Sequence, residues 1–234
     1  MKKIITLVAC LSAAMVLSGC EVKAMLDDLN KDTAELKYDR ATSRSKLLEL
    51  GEKQGFLIAY DYLSSEGDKG TAKVGNKDGF FWVFNDVKEG ENVESFGKAA
   101  EAKTDTYVAY DYNEESNKFE ATETIEKEAF DAVIETGVSW LLYAHSVDSA
   151  LVEDGKDTVL GRECTKYKFK YTSSAVIAGK NAEINLSVDD ELGITLKAKV
   201  SGMDENNASA SVDFEVKSFA IGDAVVLPIF ENAL

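Results

Sequence analysis

Histidine, proline and cysteine are nearly missing from this chain of 234 residues, which has one His, one Pro and three Cys. Each shortage excludes something. Nucleophilic catalysis of the Ser-His-Asp kind needs an imidazole to take the proton. The only one, His145, lies inside an apolar stretch with no G-x-S-x-G elbow in the chain, so it reads as a structural histidine. One His and few thiols cannot supply a tetrahedral zinc site of the usual ligand types. No Gly-rich loop of the P-loop or dinucleotide kind is present. Carboxylates are plentiful, but no spacing singles out a hydrolytic pair. In "DYNEESNKFEAT", Asp111, Asn113, Glu115 and Asn117 stand at calcium-loop positions, yet Ser116 replaces the required Gly and Thr122 the required Glu. These absences point to a protein that is not an enzyme and needs no cofactor or metal.

Long hydrophobic runs are also lacking. The longest uncharged one, Ile4 to Cys20, has 17 residues and follows Met1-Lys2-Lys3. A spanning helix needs about 20 apolar residues. A short basic start, a short apolar core and small residues at the end describe a secretory leader. Leu17-Ser18-Gly19-Cys20 resembles the bacterial lipobox, which implies a diacylglyceryl group on the Cys20 sulfur, acyl chains such as palmitate, and cleavage before Cys20. Two acyl chains anchor strongly, at about 0.8 kcal/mol per buried CH₂. Residues 1–19 are therefore read as a lipoprotein signal peptide, 20–40 as an acylated N-terminus with a tether or helix, and 41–234 as one domain. The expected location is extracytoplasmic, lipid-anchored to a bacterial membrane.

What the chain does have is negative charge and apolar residues. Its formal charge is −16, and losing Lys2 and Lys3 with the leader makes it two units more negative. Such a surface repels phosphate backbones, which excludes nucleic acid as a partner. Hydrophobic residues at 45% are ample for a core. With Cys10 in the leader and Cys20 acylated, Cys164 has no internal partner and reads as a small buried hydrophobe.

The pattern changes along the chain. "TSRSKLLELGEKQG" reads as a helix with Thr42 or Ser43 as cap and Gly55 as stop. Strand signals follow at 56–63, 71–75, 80–84, 106–112 and 118–125. The tetrapeptide "AYDY" occurs at 59–62 and again at 109–112, too short to count as a repeat. The longest helical pattern covers 126–152: Phe130, Val133, Ile134, Val138, Leu141 and Ala144 form one face, widened by Trp140, Tyr143 and Val147. Four strands with clean alternation follow: Tyr167, Phe169 and Tyr171; Ile184, Leu186 and Val188; Ile194, Leu196, Ala198 and Val200; Val212, Phe214 and Val216. Each predicts one buried and one wetted face. The architecture expected is α+β, a large curved antiparallel sheet with helices packed on its concave face.

"GRECTKYKFKY" (161–171), "VDDELGITLKAKV" (188–200) and "SFAIGDAVVLP" (218–228), in this order of elements, resemble the LolA-like lipoprotein superfamily, which includes outer-membrane lipoprotein carriers and mycobacterial lipid-binding lipoproteins. The resemblance implies an unclosed β-barrel enclosing an apolar cavity for acyl chains. Phe130, Ile134, Trp140, Leu141, Tyr167, Phe169, Leu186, Ile194, Leu196 and Phe214 are the residues that would line it. The function expected is binding or carrying a lipid or other hydrophobic ligand. The alternative is an envelope interaction or sensor protein with a filled core, and the third reading an enzyme of unrecognised type.

Overall fold

A computed structural model describes residues 35–64, 69–89, 92–148, 151–169, 183–203 and 209–231. Cys20, the leader and most of the proposed tether lie outside them. Among the described residues two helices, α1 (Arg40–Lys53) and α2 (Lys127–Val138), accompany twelve strands in one sheet. In chain order these are β1 (Phe56–Ser64), β2 (Lys69–Lys77), β3 (Phe80–Glu89), β4 (Asn92–Ala102), β5 (Tyr107–Asn113), β6 (Lys118–Ile125), β7 (Leu151–Val159), β8 (Arg162–Phe169), β9 (Glu183–Asp189), β10 (Thr195–Met203), β11 (Ser209–Ile221) and β12 (Phe230–Glu231).

The sheet consists of two meanders. β1 to β6 step outward one neighbour at a time; the chain then crosses through α2 to the far edge, and β7 to β11 step back until β11 pairs with β1. Every pairing is antiparallel except that of the short β12 with β6. The sheet stays open, with β12 and β7 at its edges. It curls round the helical segment: Phe130 of α2 meets Tyr107 of β5 with ring centroids 4.7 Å apart, while Leu141, just beyond α2, accepts a hydrogen bond from the Thr195 N–H of β10 at 2.7 Å.

Local chemistry explains the ends of α1. The Asp39 carboxylate accepts from the Thr42 N–H at 2.7 Å, so the cap is Asp39 and not Thr42 or Ser43 as the sequence suggested. The Gly55 N–H bonds back to the Leu50 and Gly51 carbonyls with φ of 82°, the left-handed stop expected of it. Leu47 is fully buried. Arg40 and Arg44 of α1 reach Glu135 of α2 at 2.8 and 2.6 Å, a surface contribution of about 0–1 kcal/mol each.

The long helix expected over 126–152 is corrected. α2 ends at Val138, the chain continues through turns into a 3-10 turn at Tyr143–Ser146, and Leu151 already belongs to β7. Thr195 is the cause. Its N–H binds the Leu141 carbonyl and its hydroxyl accepts the Ala144 N–H, so both backbone groups are spent on β10. Leu141, Leu142 and Ala144 are nevertheless completely buried, as their apolar character requires.

The main core lies on the helix-bearing face and includes residues of β1–β3, β7–β10, β11, both helices and the 3-10 turn. Each large apolar side chain fully buried there contributes about 1.5–3 kcal/mol. A second core sits on the opposite face, where Trp82, Ala99, Val108, Tyr110 and Phe119 are covered by Val225, Leu227 and Phe230. The C-terminal segment makes that cover as a strap across the outer face. The Gly222 N–H donates to Gly55 O, Lys77 Nζ donates to Gly222 O and Val225 O, and the Phe119 N–H donates to Ile229 O. The Phe230 ring stacks on Phe80 at 4.2 Å.

Candidate functional site

Seven of the ten residues expected to line a cavity come together in one cluster: Ile134, Leu141, Tyr167, Leu186, Ile194, Leu196 and Phe214 are each at most 5% exposed. Strand alternation puts Leu186, Ile194, Leu196 and Phe214 on the helix-bearing face, and α2 with its continuation brings Ile134 and Leu141 down upon them. Phe130 and Trp140 are partly exposed and pack against the same cluster. The Phe169 backbone pairs with Leu151; its side chain is outside the described set.

The partly exposed members show where this interior meets the surface. Trp140 lies 6.1 Å from Phe214 with the rings 15° from parallel, and 5.6 Å from Tyr143 at 29°. Phe214 in turn contacts Tyr60 at 4.6 Å. Aromatic pairs at these distances add about 0.5–1.5 kcal/mol beyond their buried area. Four rings from β1, β11 and the segment after α2 thus form a continuous wall. Tyr60 and Tyr143 complete it; the helical pattern placed Tyr143 on the widened apolar face, and neither was among the residues expected to line a cavity. Period-two spacing in "FLIAYDYL" was the available signal for Tyr60.

Tyr143 differs from the other rings. Its hydroxyl is buried with no hydrogen-bond partner among the described residues, and burial pushes its pKa up to about 12. A buried hydroxyl left unpaired costs about 1–3 kcal/mol. Tyr60 is likewise held well above the usual phenol range by burial. Both rings stay neutral at physiological pH and offer a donor in an apolar wall.

The remaining candidates have structural partners. His145 Nε2 lies 2.9 Å from the Gly193 carbonyl; since a carbonyl only accepts, this nitrogen carries the proton and is unavailable as a base. Cys164 is completely buried, and burial pushes its thiol up to about 11. The calcium-like segment is the β5–β6 hairpin turn, where Asn113 Oδ1 accepts the Ser116 N–H. Among the described residues no cluster of His, Cys, Asp and Glu is arranged to hold a metal, and no helix is long and apolar enough to cross a membrane.

The chain matches no known protein family model and no curated protein sequence. A comparison with solved structures finds likenesses at very low identity. An uncharacterized conserved protein from Thermus thermophilus is 11% identical with a TM-score of 0.37, over 82% of this chain and 98% of that one. LprF from Mycobacterium bovis is 11% identical with a TM-score of 0.37, over 81% and 95%. A putative outer membrane lipoprotein-sorting protein domain from Vibrio parahaemolyticus is 7% identical with a TM-score of 0.28, over 80% and 95%.

Proposed function

We propose that this protein is an extracytoplasmic lipoprotein, tethered to a bacterial membrane through acyl chains on Cys20, that binds a lipid or other hydrophobic ligand against its helix-bearing interior. The observation that carries the ligand reading is the Tyr60–Phe214–Trp140–Tyr143 wall, which ends in a partly exposed indole and holds an unpartnered hydroxyl. An acyl chain laid along Trp140 would gain about 25 cal/mol for each Å² of apolar surface removed from water. The Tyr143 hydroxyl supplies one donor to fix a ligand carbonyl or ether oxygen.

A second reading is supported by the tightness of the core, whose seven clustered candidates are almost without exposure. In that reading the interior is simply filled, and the protein acts in the envelope through its surface.

Native mass spectrometry of the protein purified from its own membrane separates the two. Co-purifying lipid, together with quenching of Trp140 emission by a brominated fatty acid, supports the carrier. Trp82 is only 2% exposed, so Trp140→Phe should abolish that quenching. A consistently empty protein whose emission is indifferent to the brominated acid leaves the filled core. The tether is tested independently: Cys20→Ser should abolish labelling by a fatty-acid probe and release the protein from membranes.

A further inference from the structure

A concavity lined by residues other than the aromatic wall lies at the end of the sheet where β7 turns into β8 and β9 into β10. It is open-sided, has a volume of about 450 Å³, and is lined by Lys37, Tyr38 and Lys46 on one side and Arg162, Glu163 and the turn Asp189–Glu191 on the other. That volume is in the range of pockets that hold small molecules, about 300–1,000 Å³.

Its charges are unequally committed. The Asp189 side chain is 1% exposed; it takes Arg162 Nε at 2.5 Å and accepts the Glu191 and Leu192 N–H groups. Asp190 accepts from the Thr165 hydroxyl at 2.6 Å and from Lys156 Nζ at 2.9 Å, and Glu191 accepts from Arg162 Nη2 at 2.9 Å. Each of these three carboxylates thus has a cationic partner, although Arg162 is shared between Asp189 and Glu191, and Glu163 is the one lining carboxylate whose side chain has no partner among the described residues. The three lining cations keep some donors free. Arg162 uses Nε and Nη2, with its guanidinium 4.8 Å from the Phe219 ring, and Nη1 has no partner among the described residues. Lys46 Nζ sits 4.3 Å from the Tyr38 ring centre, a cation–π contact that uses none of its hydrogens as hydrogen bonds. Lys37 Nζ gives one bond to the Asp190 carbonyl oxygen at 2.7 Å and keeps two hydrogens.

We infer that this concavity binds a phosphate group carried on a small polar moiety, with Arg162, Lys37 and Lys46 as its donors and the Tyr38 ring as its wall. Three donors from two separate parts of the fold suit the three outer oxygens of a phosphate monoester better than the two of a carboxylate or a phosphodiester. The volume exceeds that of a bare anion, so the phosphate comes with an attached group. Glu163 weakens the site by repulsion and so sets its affinity. The site is independent of the apolar interior and stands whether or not that interior takes a lipid. Two sources offer the chemistry, the phosphomonoester headgroup of phosphatidic acid or a soluble phosphate ester.

The test uses the full-length protein in an uncharged, phosphorus-free detergent, with glycerol phosphate as the probe followed by ³¹P NMR. Saturable broadening of the probe signal is expected. Lys46→Met keeps the aliphatic stem against Tyr38, and should weaken binding about tenfold for the loss of one charge-assisted bond; Lys37→Met should add to that, and Glu163→Gln should tighten binding. Unchanged circular dichroism in all three variants separates lost binding from lost folding. Displacement of the probe by phosphatidic acid doped into the micelles assigns the site to a headgroup, and retention of the probe assigns it to a soluble ester. A probe signal that never saturates, or that saturates equally in the Lys46→Met and Lys37→Met variants, overturns the proposal.

Discussion

Trp82 lies flat against Gly75, its directly opposed partner across β2 and β3; a Cβ on Gly75 would come within 2.1 Å of the indole Cζ2. The absence of a side chain on one strand is what admits the largest side chain of the other. Trp82 is 2% exposed and belongs to the outer-face core, so it has no free direction in which to retreat. Gly75→Ala is expected to destabilise by about 1–3 kcal/mol through overpacking. Urea unfolding followed by Trp emission checks this, and a midpoint equal to the parent's would show that the indole can shift at no cost.

Leu160 has a φ of 53° and Gly161 one of 76°, the two central positions of the tight turn joining β7 to β8. Such a turn favours Asn-Gly, because a branched side chain with positive φ crowds its own backbone. The Leu160 side chain is half exposed and gives up little on replacement. Leu160→Asn should therefore stabilise by about 1 kcal/mol. A thermal melt that rises by several degrees bears this out, and an unchanged or lower midpoint contradicts it.

Acid should weaken the fold in a definite window. The Ser187 hydroxyl and then the Thr158 N–H hold the Asp157 carboxyl below its ordinary range, and the Lys168 ammonium does the same for Asp154. For Asp190 burial opposes ionisation, but the Thr165 and Lys156 donors outweigh it and the net shift is downward. A carboxyl whose folded pKa is lowered adds stability that is fully present above its unfolded pKa, about 3.9. That stability is lost as the pH falls through the lower folded value. The unfolding free energy should thus be level from neutrality to about pH 5 and fall below about pH 4. Asp157→Asn should be less stable at neutral pH and show a shallower acid decline, measured by denaturant titration across pH 2–7.

How much of this was legible depends on what decides each element. The run from Glu183 to Val216 was readable because Ile184, Leu186, Leu196 and Phe214 alternate with charged or polar neighbours, and burial of one face enforces that period. β4 was not readable: Lys98, Ala99, Ala100, Glu101 and Ala102 have little strand preference, and pairing with β3 and β5 on both sides decides the matter. The outer-face core did leave a mark, since "FFWVF" is an unbroken apolar run and such runs belong to strands covered on both faces. The two "AYDY" segments show the limit of local reading. Tyr60 packs into the helix-side core and Tyr110 into the outer one, although each begins at a register shift in the same tetrapeptide. The apolar candidates were found by period alone. Lys37 and Asp190, 153 positions apart, are joined by topology that no local pattern carries.

Tyr143 allows the sharpest separation of ligand from filler. Its hydroxyl is buried without a partner among the described residues, a cost of about 1–3 kcal/mol that Tyr143→Phe removes while the ring keeps its stacking on Trp140. The ligand-free variant should therefore be more stable than the parent, seen as a higher melting temperature. If the hydroxyl serves a ligand oxygen, the same variant should lose affinity for the brominated fatty acid by about tenfold, the value of one hydrogen bond whose loss leaves the ligand oxygen unpaired. Higher stability with weaker quenching is the behaviour of a residue kept for binding at the expense of folding. Higher stability with unchanged quenching would place the ligand elsewhere on the wall. Lower stability would mean that the hydroxyl is paired in solution, and that Tyr143 is held by the fold and not by anything it binds.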